Sequence, residues 1–102
     1  MQKHNIHNHR EFFSVLQTAD RTQVATMTLK PGEASGPKEN EHPDSEQVLL
    51  LLDGRLDAEI GSERGTLEPG DVVIIPRNVA HRLTAVGDKP AVTFNVYGPP
   101  AY

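Results

Sequence analysis

The chain of 102 residues contains no cysteine and only five aromatic residues. The absence of cysteine excludes disulfides and thiolate chemistry, and it favours the cytosol over an oxidising compartment. The longest apolar run, Val48 to Leu52, is far too short to cross a bilayer, and residues 1–10 lack the apolar core of a signal peptide. We therefore expect a cytoplasmic protein that has no membrane partner.

The chain also lacks any cluster of basic residues. Its 14 acidic and 10 basic side chains are scattered and give a net charge of -4. A protein that binds a row of phosphates needs lysines and arginines grouped on one surface, so we expect no nucleic-acid partner. The length suits one hydrophobic core, which predicts a single domain over residues 1–102 with a polar, flexible segment at 1–10.

The sequence is instead divided by eight glycines and eight prolines into short segments with the alternation of β-strands. Gln47 to Leu52 is apolar on both faces, so both sides of this strand need cover. Asp53-Gly54 predicts a hairpin turn into a second strand, Arg55 to Ile60. Residues 33–44 read as a polar loop and 61–65 as a turn. The other predicted strands are 12–17, 23–29, 66–67, 72–75, 80–86 and 91–97.

Two segments place polar residues in a fixed order at the ends of these strands. In the first, one residue separates Asn40 from His42, four separate His42 from Gln47, and six separate Gln47 from Gly54. In the second, five residues separate Gly70 from Pro76 and four separate Pro76 from His81. His81 shares its face of the predicted strand with Leu83 and Ala85, so its side chain is expected to point inward.

In order and spacing these segments resemble the two motifs of the cupin superfamily, and the chain is similar to a small single-domain RmlC-like cupin. The resemblance implies an all-β fold, a double-stranded β-helix or jelly-roll barrel. Asn40 and Gln47 stand where the first motif has a histidine and a glutamate. Asn78 replaces a glycine of the second motif. Ala34 and Ala85 replace two further motif residues.

The resemblance also implies a pocket inside the barrel in which His42, Gln47, His81 and Asn40 bind a divalent metal ion such as nickel, zinc, manganese or iron. Imidazoles and an amide oxygen are acceptable ligands for these ions. The missing carboxylate removes the negative charge that would offset the ion, which predicts weakened binding.

Three functions follow from this site. In the first, the metal polarises a small oxygen-rich molecule, as a metal-dependent oxygenase or isomerase would. In the second, a metal-free pocket binds a small molecule, such as a sugar or an acid, without catalysis. In the third, the barrel is an inert structural partner. Whether the protein is an enzyme is left open by the residues.

Residues around the motifs carry weaker expectations. Glu41, Asp44 and Glu46 are interpreted as a solvated acidic rim, and Asn95 and Tyr97 as core or surface rather than pocket. The second apolar face of the strand at 47–52 needs a partner, which predicts a homodimer.

Overall fold

The polypeptide, described over residues 1–102 in a computed structural model, folds almost entirely into β-strands. Its only helical segment is a short 3-10 turn at Ile6–Asn8. The predicted all-β fold is therefore confirmed, and no helix is long and apolar enough to span a membrane. The strands are β1 (Phe13–Thr18), β2 (Gln23–Leu29), β3 (Glu46–Asp53), β4 (Leu56–Ile60), β5 (Glu63–Leu67), β6 (Val72–Ile75), β7 (His81–Ala85) and β8 (Ala91–Gly98).

These strands form two antiparallel sheets that enclose one core. The larger sheet has the order β1-β2-β8-β3-β6, and the smaller has the order β5-β4-β7. The last strand, β8, lies between β2 and β3 and pairs with both along most of their length. This non-sequential order produces the jelly-roll barrel that the sequence predicts.

Strand β3 shows how the sequence builds the barrel. Its residues alternate, with Leu49 and Leu51 fully buried and Val48, Leu50 and Leu52 half-buried on the opposite face. Alternation of this kind places every second side chain inside. The apolar core contains eleven side chains from both sheets: Met27, Leu29, Leu49, Leu51, Leu56, Ala58, Leu67, Ile75, Leu83, Ala85 and Ala91.

The hairpin between β3 and β4 depends on Gly54. Its φ of +82° lies in the left-handed region, which side chains disfavour. A Cβ atom there would also collide with the carbonyl oxygen of Pro90 and come within 2.8 Å of Ala91 Cα. Glycine is therefore required for both reasons, and the predicted hairpin is confirmed with β4 beginning at Leu56 rather than Arg55.

The predicted turn over residues 61–65 is wrong at its second half. Strand β5 begins at Glu63 and pairs with β4, with Arg64 opposite Glu59 and Gly65 opposite Ala58. The first four residues of β5 are exposed. An exposed edge strand carries no apolar alternation, so only its pairing with β4 reveals it.

The loop over residues 33–44 is also more regular than the sequence predicts. Single bridges join Ala34 to Thr84 and Glu39 to His81. Ser35 N donates to the carbonyl oxygen of Leu83 at 2.7 Å, so the loop runs along the free edge of β7. The Gly36-Pro37 pair interrupts the strand pattern in the sequence and conceals this pairing. The loop is thereby held against the barrel mouth.

The larger sheet exposes a continuous apolar surface to solvent, which we call the outer apolar face. Val72 and Ile74 on the edge strand β6 are 57% and 60% exposed. They are paired with Leu50 and Val48 of β3. Homodimer formation stays a prediction that this face supports. The face consists of Val48, Leu50, Val72, Ile74, Phe94 and Val96.

Candidate functional site

One end of the barrel interior is polar. Gln23, Gln47, His81 and Asn95 occupy inward positions at the same end of their strands, and each is at most 7% exposed. The opposite end is filled by aliphatic residues such as Leu51. Buried polar groups are costly unless they are hydrogen-bonded, so this concentration marks a candidate functional site.

A directional series of hydrogen bonds, which we call the buried amide chain, runs through this end. It comprises His42, Gln47, Asn95 and Thr93. His42 Nε2 lies 2.7 Å from Gln47 Oε1, and Gln47 Nε2 donates to Asn95 Oδ1 at 2.8 Å. Asn95 Nδ2 donates to Thr93 Oγ1 at 2.9 Å, and that hydroxyl donates to the carbonyl oxygen of Met27 at 3.0 Å. A carbonyl only accepts, so this last bond sets the direction of the whole chain.

His42 has no nitrogen free for a ligand. Its Nδ1 lies 3.0 Å from the carbonyl oxygen of Ser45, and its Nε2 faces Gln47 Oε1. Both ring nitrogens are therefore directed at oxygen acceptors. The side chain is 2% exposed and lies behind the cavity wall.

His81 differs from His42 in this respect. Its Nδ1 donates to the carbonyl oxygen of Val79 at 3.0 Å, which leaves Nε2 with a free lone pair. Burial lowers the pKa of His81 below its ordinary value, while the bond to Val79 opposes this shift and the nearby His42 adds to it. His81 is thus a neutral hydrogen-bond acceptor near pH 7, and its ring centroid lies 4.7 Å from that of His42.

A cavity of about 250 Å³ opens at this end of the barrel. Both sheets and the loop over residues 33–44 contribute to its walls. Four of the five aromatic residues of the chain are among its lining residues, which is a high share for so few aromatic rings. The lining residues are Phe12, Phe13, Met27, Ser35, Glu41, Gln47, His81, Leu83, Tyr97 and Tyr102.

The two tyrosines form an aromatic corner with Phe13. The ring centroid of Tyr102 lies 4.7 Å from that of Phe13 and 5.1 Å from that of Tyr97. Burial raises the pKa of both Tyr97 and Tyr102. Both phenols therefore remain protonated at physiological pH and can act as hydrogen-bond donors.

Three of the four predicted ligand residues lie together: His42 Nε2 is 2.7 Å from Gln47 Oε1, and the ring centroid of His42 is 4.7 Å from that of His81. Gln47 and His81 line the cavity, whereas His42 lies behind them. Asn40 is not among the cavity-lining residues, and its Nδ2 donates to Asn78 Oδ1 at 2.8 Å. No group of three or more His, Cys, Asp or Glu residues is placed to hold a metal ion. Because His42 and Gln47 already bond each other, this arrangement does not fit a ready-made metal site.

Several residues of the site were not predicted from the sequence. Asn95 belongs to the buried amide chain, and Tyr97 lines the cavity. Glu41, interpreted as part of an acidic rim, is exposed but also borders the cavity. The signal for the first two was their position on β8, where Thr93, Asn95 and Tyr97 alternate with apolar Phe94 and Val96. Polar residues in such an alternation are ordinarily expected outside, and here they face inward.

An antiparallel jelly-roll barrel with buried polar groups and a cavity at one end defines a class of small β-barrels. The model of the cupin domain family matches residues 25–97. The chain belongs to this family, as the two motifs indicated.

Individual relatives agree with this assignment. A polyketide synthase protein, CurC, from Streptomyces cyaneus is 33% identical over 62% of this chain and 40% of its own length. The tetracenomycin polyketide synthase protein TcmJ from Streptomyces glaucescens is 32% identical over 69% of this chain and 46% of its own length. The chain thus spans less than half the length of these relatives. A crystal structure of a Bacillus halodurans protein superposes with a TM-score of 0.88 at 25% identity, covering 99% of this chain and 83% of that one.

Proposed function

We propose that this cupin binds a small planar organic molecule with oxygen substituents, and that it does so without a resident metal ion. One observation carries the proposal. Four of the chain's five aromatic residues, Phe12, Phe13, Tyr97 and Tyr102, line a single cavity, while the core beyond it is aliphatic.

Two of these aromatic rings, those of Phe12 and Tyr102, are placed for a ligand rather than for the core. Phe12 and Tyr102 are 46% and 53% exposed, and neither belongs to the core cluster. Aromatic rings favour contact with other planar groups at centroid distances of about 4.5 to 7 Å. A flat ring system entering the cavity would bury these exposed surfaces, whereas a sugar would use their flat faces less fully.

The polar groups of the cavity suit hydroxyl and carbonyl substituents. His81 Nε2 is free to accept a hydrogen bond from a ligand hydroxyl. The protonated phenols of Tyr97 and Tyr102 can donate to a ligand carbonyl. The two curated relatives are named as polyketide synthase proteins, and polyketides carry carbonyl and hydroxyl groups. This agreement supports an oxygen-substituted aromatic or polycarbonyl ligand.

A second candidate function is proton-transfer catalysis in the same cavity. Its supporting observation is that His81 combines a free Nε2 with a pKa lowered by burial. A neutral imidazole in contact with a ligand hydroxyl or an acidic C–H is a general base. This candidate retains the isomerase chemistry that the family resemblance implies, with His81 as the proton acceptor.

The divalent metal implied by the resemblance stays a prediction, and elemental analysis of untagged protein tests it. We expect less than about a tenth of an equivalent of metal. A bound ion would stabilise the folded state, so we also expect that added nickel, zinc, manganese or iron does not raise the melting temperature. Stoichiometric metal that is lost in a His42→Ala/His81→Ala variant would overturn the metal-free proposal.

Ligand binding is tested by calorimetric titration with 3-hydroxy-2-naphthoate as a planar probe and glucuronate as a non-planar sugar acid. We expect the planar probe to bind, and His81→Ala to weaken it about tenfold through loss of one hydrogen bond and its contacts. The matched control is His7→Ala, which removes an exposed histidine distant from the cavity lining. Binding of glucuronate in preference to the planar probe would contradict the proposal.

A further inference from the structure

We propose that residues 99–102, which we call the strap, form a wall of the cavity whose position is set by Gln23 and Ser45, and that the strap limits the size of the ligand. The limit on ligand size rests on the proposed binding function. The positioning of the strap by Gln23 and Ser45 does not, because it is argued from the hydrogen bonds of the strap.

Gln23 at the start of β2 holds the far end of the strap. Its Oε1 accepts hydrogen bonds from the backbone N–H groups of Ala101 and Tyr102 at 3.0 and 2.9 Å. Its Nε2 donates to the carbonyl oxygen of Tyr102 at 2.7 Å and to Thr18 Oγ1 at 2.9 Å. The side chain is 1% exposed. One buried amide thus holds the N–H groups of Ala101 and Tyr102 and the carbonyl oxygen of Tyr102.

Ser45 holds the near end of the strap. Its Oγ donates to the carbonyl oxygen of Pro99 at 2.6 Å, and its side chain is buried. The carbonyl oxygen of Ser45 also faces His42 Nδ1 at 3.0 Å. Ser45 therefore connects the strap to His42 and, through His42, to Gln47 in the cavity wall.

The strap completes the aromatic corner of the cavity. It carries Tyr102, whose ring packs against Phe13 and Tyr97. Tyr97 beneath it is only 3% exposed, while Tyr102 itself is about half exposed. Movement of the strap would therefore uncover Tyr97 and widen the cavity on this side.

Apart from the ring contacts of Tyr102, hydrogen bonds hold this segment in place. None of the four strap residues belongs to the apolar core, and Pro99 and Tyr102 are exposed. A segment held mainly by a few hydrogen bonds opens locally at a much lower free energy than the core strands. Gln23 and Ser45 are therefore positioning residues for the cavity wall.

The first test follows strap position through intrinsic fluorescence. The chain has two tyrosines and no tryptophan, and both tyrosines belong to the cavity wall. In Gln23→Ala we expect acrylamide quenching of tyrosine fluorescence to increase about twofold, because Tyr97 becomes accessible. Ser45→Ala, which acts at the other end of the strap, should increase it as well. Gln17→Ala is the matched control, since this glutamine lies on β1 and makes no hydrogen bond to the strap.

If acrylamide quenches tyrosine fluorescence equally in Gln23→Ala, Ser45→Ala and the control Gln17→Ala, then Gln23 and Ser45 do not position the strap. This readout needs no ligand. It therefore judges the strap even if neither probe binds and the proposed function fails.

The second test measures size selection with 3-hydroxy-2-naphthoate and the larger three-ring 1-hydroxyanthraquinone. We expect Gln23→Ala to shift the ratio of their dissociation constants at least about fivefold in favour of the larger probe, because the wall can retreat. An unchanged ratio together with increased quenching would overturn the size-limiting role. It would leave Gln23 as a residue that only anchors the strap.

Discussion

Part of the five-stranded sheet is polar on its inner face and apolar on its outer face, although the rest of the inner face belongs to the apolar core. The inner face carries Gln47, Asn95 and Thr93 in a line that runs from the mouth of the barrel toward the core, and all three are buried and joined by hydrogen bonds. The outer apolar face of the same sheet exposes Val72 and Ile74 of β6 more than half. Simple alternation would place polar side chains outside and apolar ones inside.

This reversal separates two kinds of binding surface. Burying polar groups inside a barrel gains little net stability, so packing alone does not explain their presence. A sheet face in contact with water does not need apolar side chains, and contiguous exposed apolar surface marks interaction sites. Strands β3 and β8 thus carry a candidate ligand site on one face and a candidate subunit interface on the other.

The largest expected effect compares two adjacent leucines of β3. Leu51→Ala empties a fully buried position and should lower the free energy of unfolding by about 3 kcal/mol. Leu50→Ala truncates a half-buried side chain on the outer face and should cost about 1 kcal/mol. Urea denaturation of both variants measures the difference. Equal losses would mean that the outer apolar face is as well covered in solution as the core.

The buried amide chain provides the next effect. Asn95→Leu leaves Gln47 Nε2 without its acceptor and Thr93 Oγ1 without its donor, so we expect a loss of about 2 kcal/mol in urea denaturation. Asn8→Leu, a change of the same kind at an exposed position, should alter stability by less than about 0.5 kcal/mol. If both variants behave alike, the polar inner face contributes nothing to the fold.

The outer face is tested by Ile74→Lys. A lysine in an apolar interface would be buried without a partner, so the mass measured by light scattering should fall from two chains to one. The stability of the single chain should change by less than about 0.5 kcal/mol, since Ile74 is 60% exposed. Thr66→Lys adds the same charge on the exposed edge strand β5 and should leave the mass unchanged. A single-chain mass for the parent protein would refute the dimer prediction.

The smallest effect concerns pH and His81. The pKa of His81 in the folded chain lies below the ordinary value of 6.5. Between these two pKa values, His81 carries a proton in the unfolded chain and is neutral in the folded chain. The stability that neutral His81 contributes is complete above pH 6.5 and is lost as the pH falls toward the lowered folded pKa. His81→Gln should flatten this part of the stability profile in buffer with EDTA. His7→Gln, which changes an exposed histidine, should leave the slope as it is in the parent.

The sequence predicts those parts of the fold in which a local residue pattern allows only one backbone geometry. The Asp53-Gly54 turn requires a positive φ, and β7 alternates so regularly that His81 could be placed inside. Only residues 66–67 of strand β5 were predicted, because the exposed residues 63–65 have no alternation to detect. It forms because a partner strand is present.

The candidate site was predictable in position but only partly in composition. Motif spacing brought His42, Gln47 and His81 to one end of the barrel, and the structure places them there. Spacing could not show that both ring nitrogens of His42 face oxygen atoms or that Asn95 completes the chain, because both depend on side-chain orientation across strands. Phe12 and Tyr102 come from opposite ends of the sequence, and only the closed barrel joins them.

The loop that runs beside β7 also affects how the protein avoids aggregation. By bridging to Thr84 and His81 it covers an edge that could otherwise template a foreign strand. The larger sheet keeps β6 as an open edge, and this strand also carries the exposed Val72 and Ile74. A symmetric dimer built on β6 would close that edge in a finite pair. Without such closure, β6 is the strand from which open-ended self-association would begin.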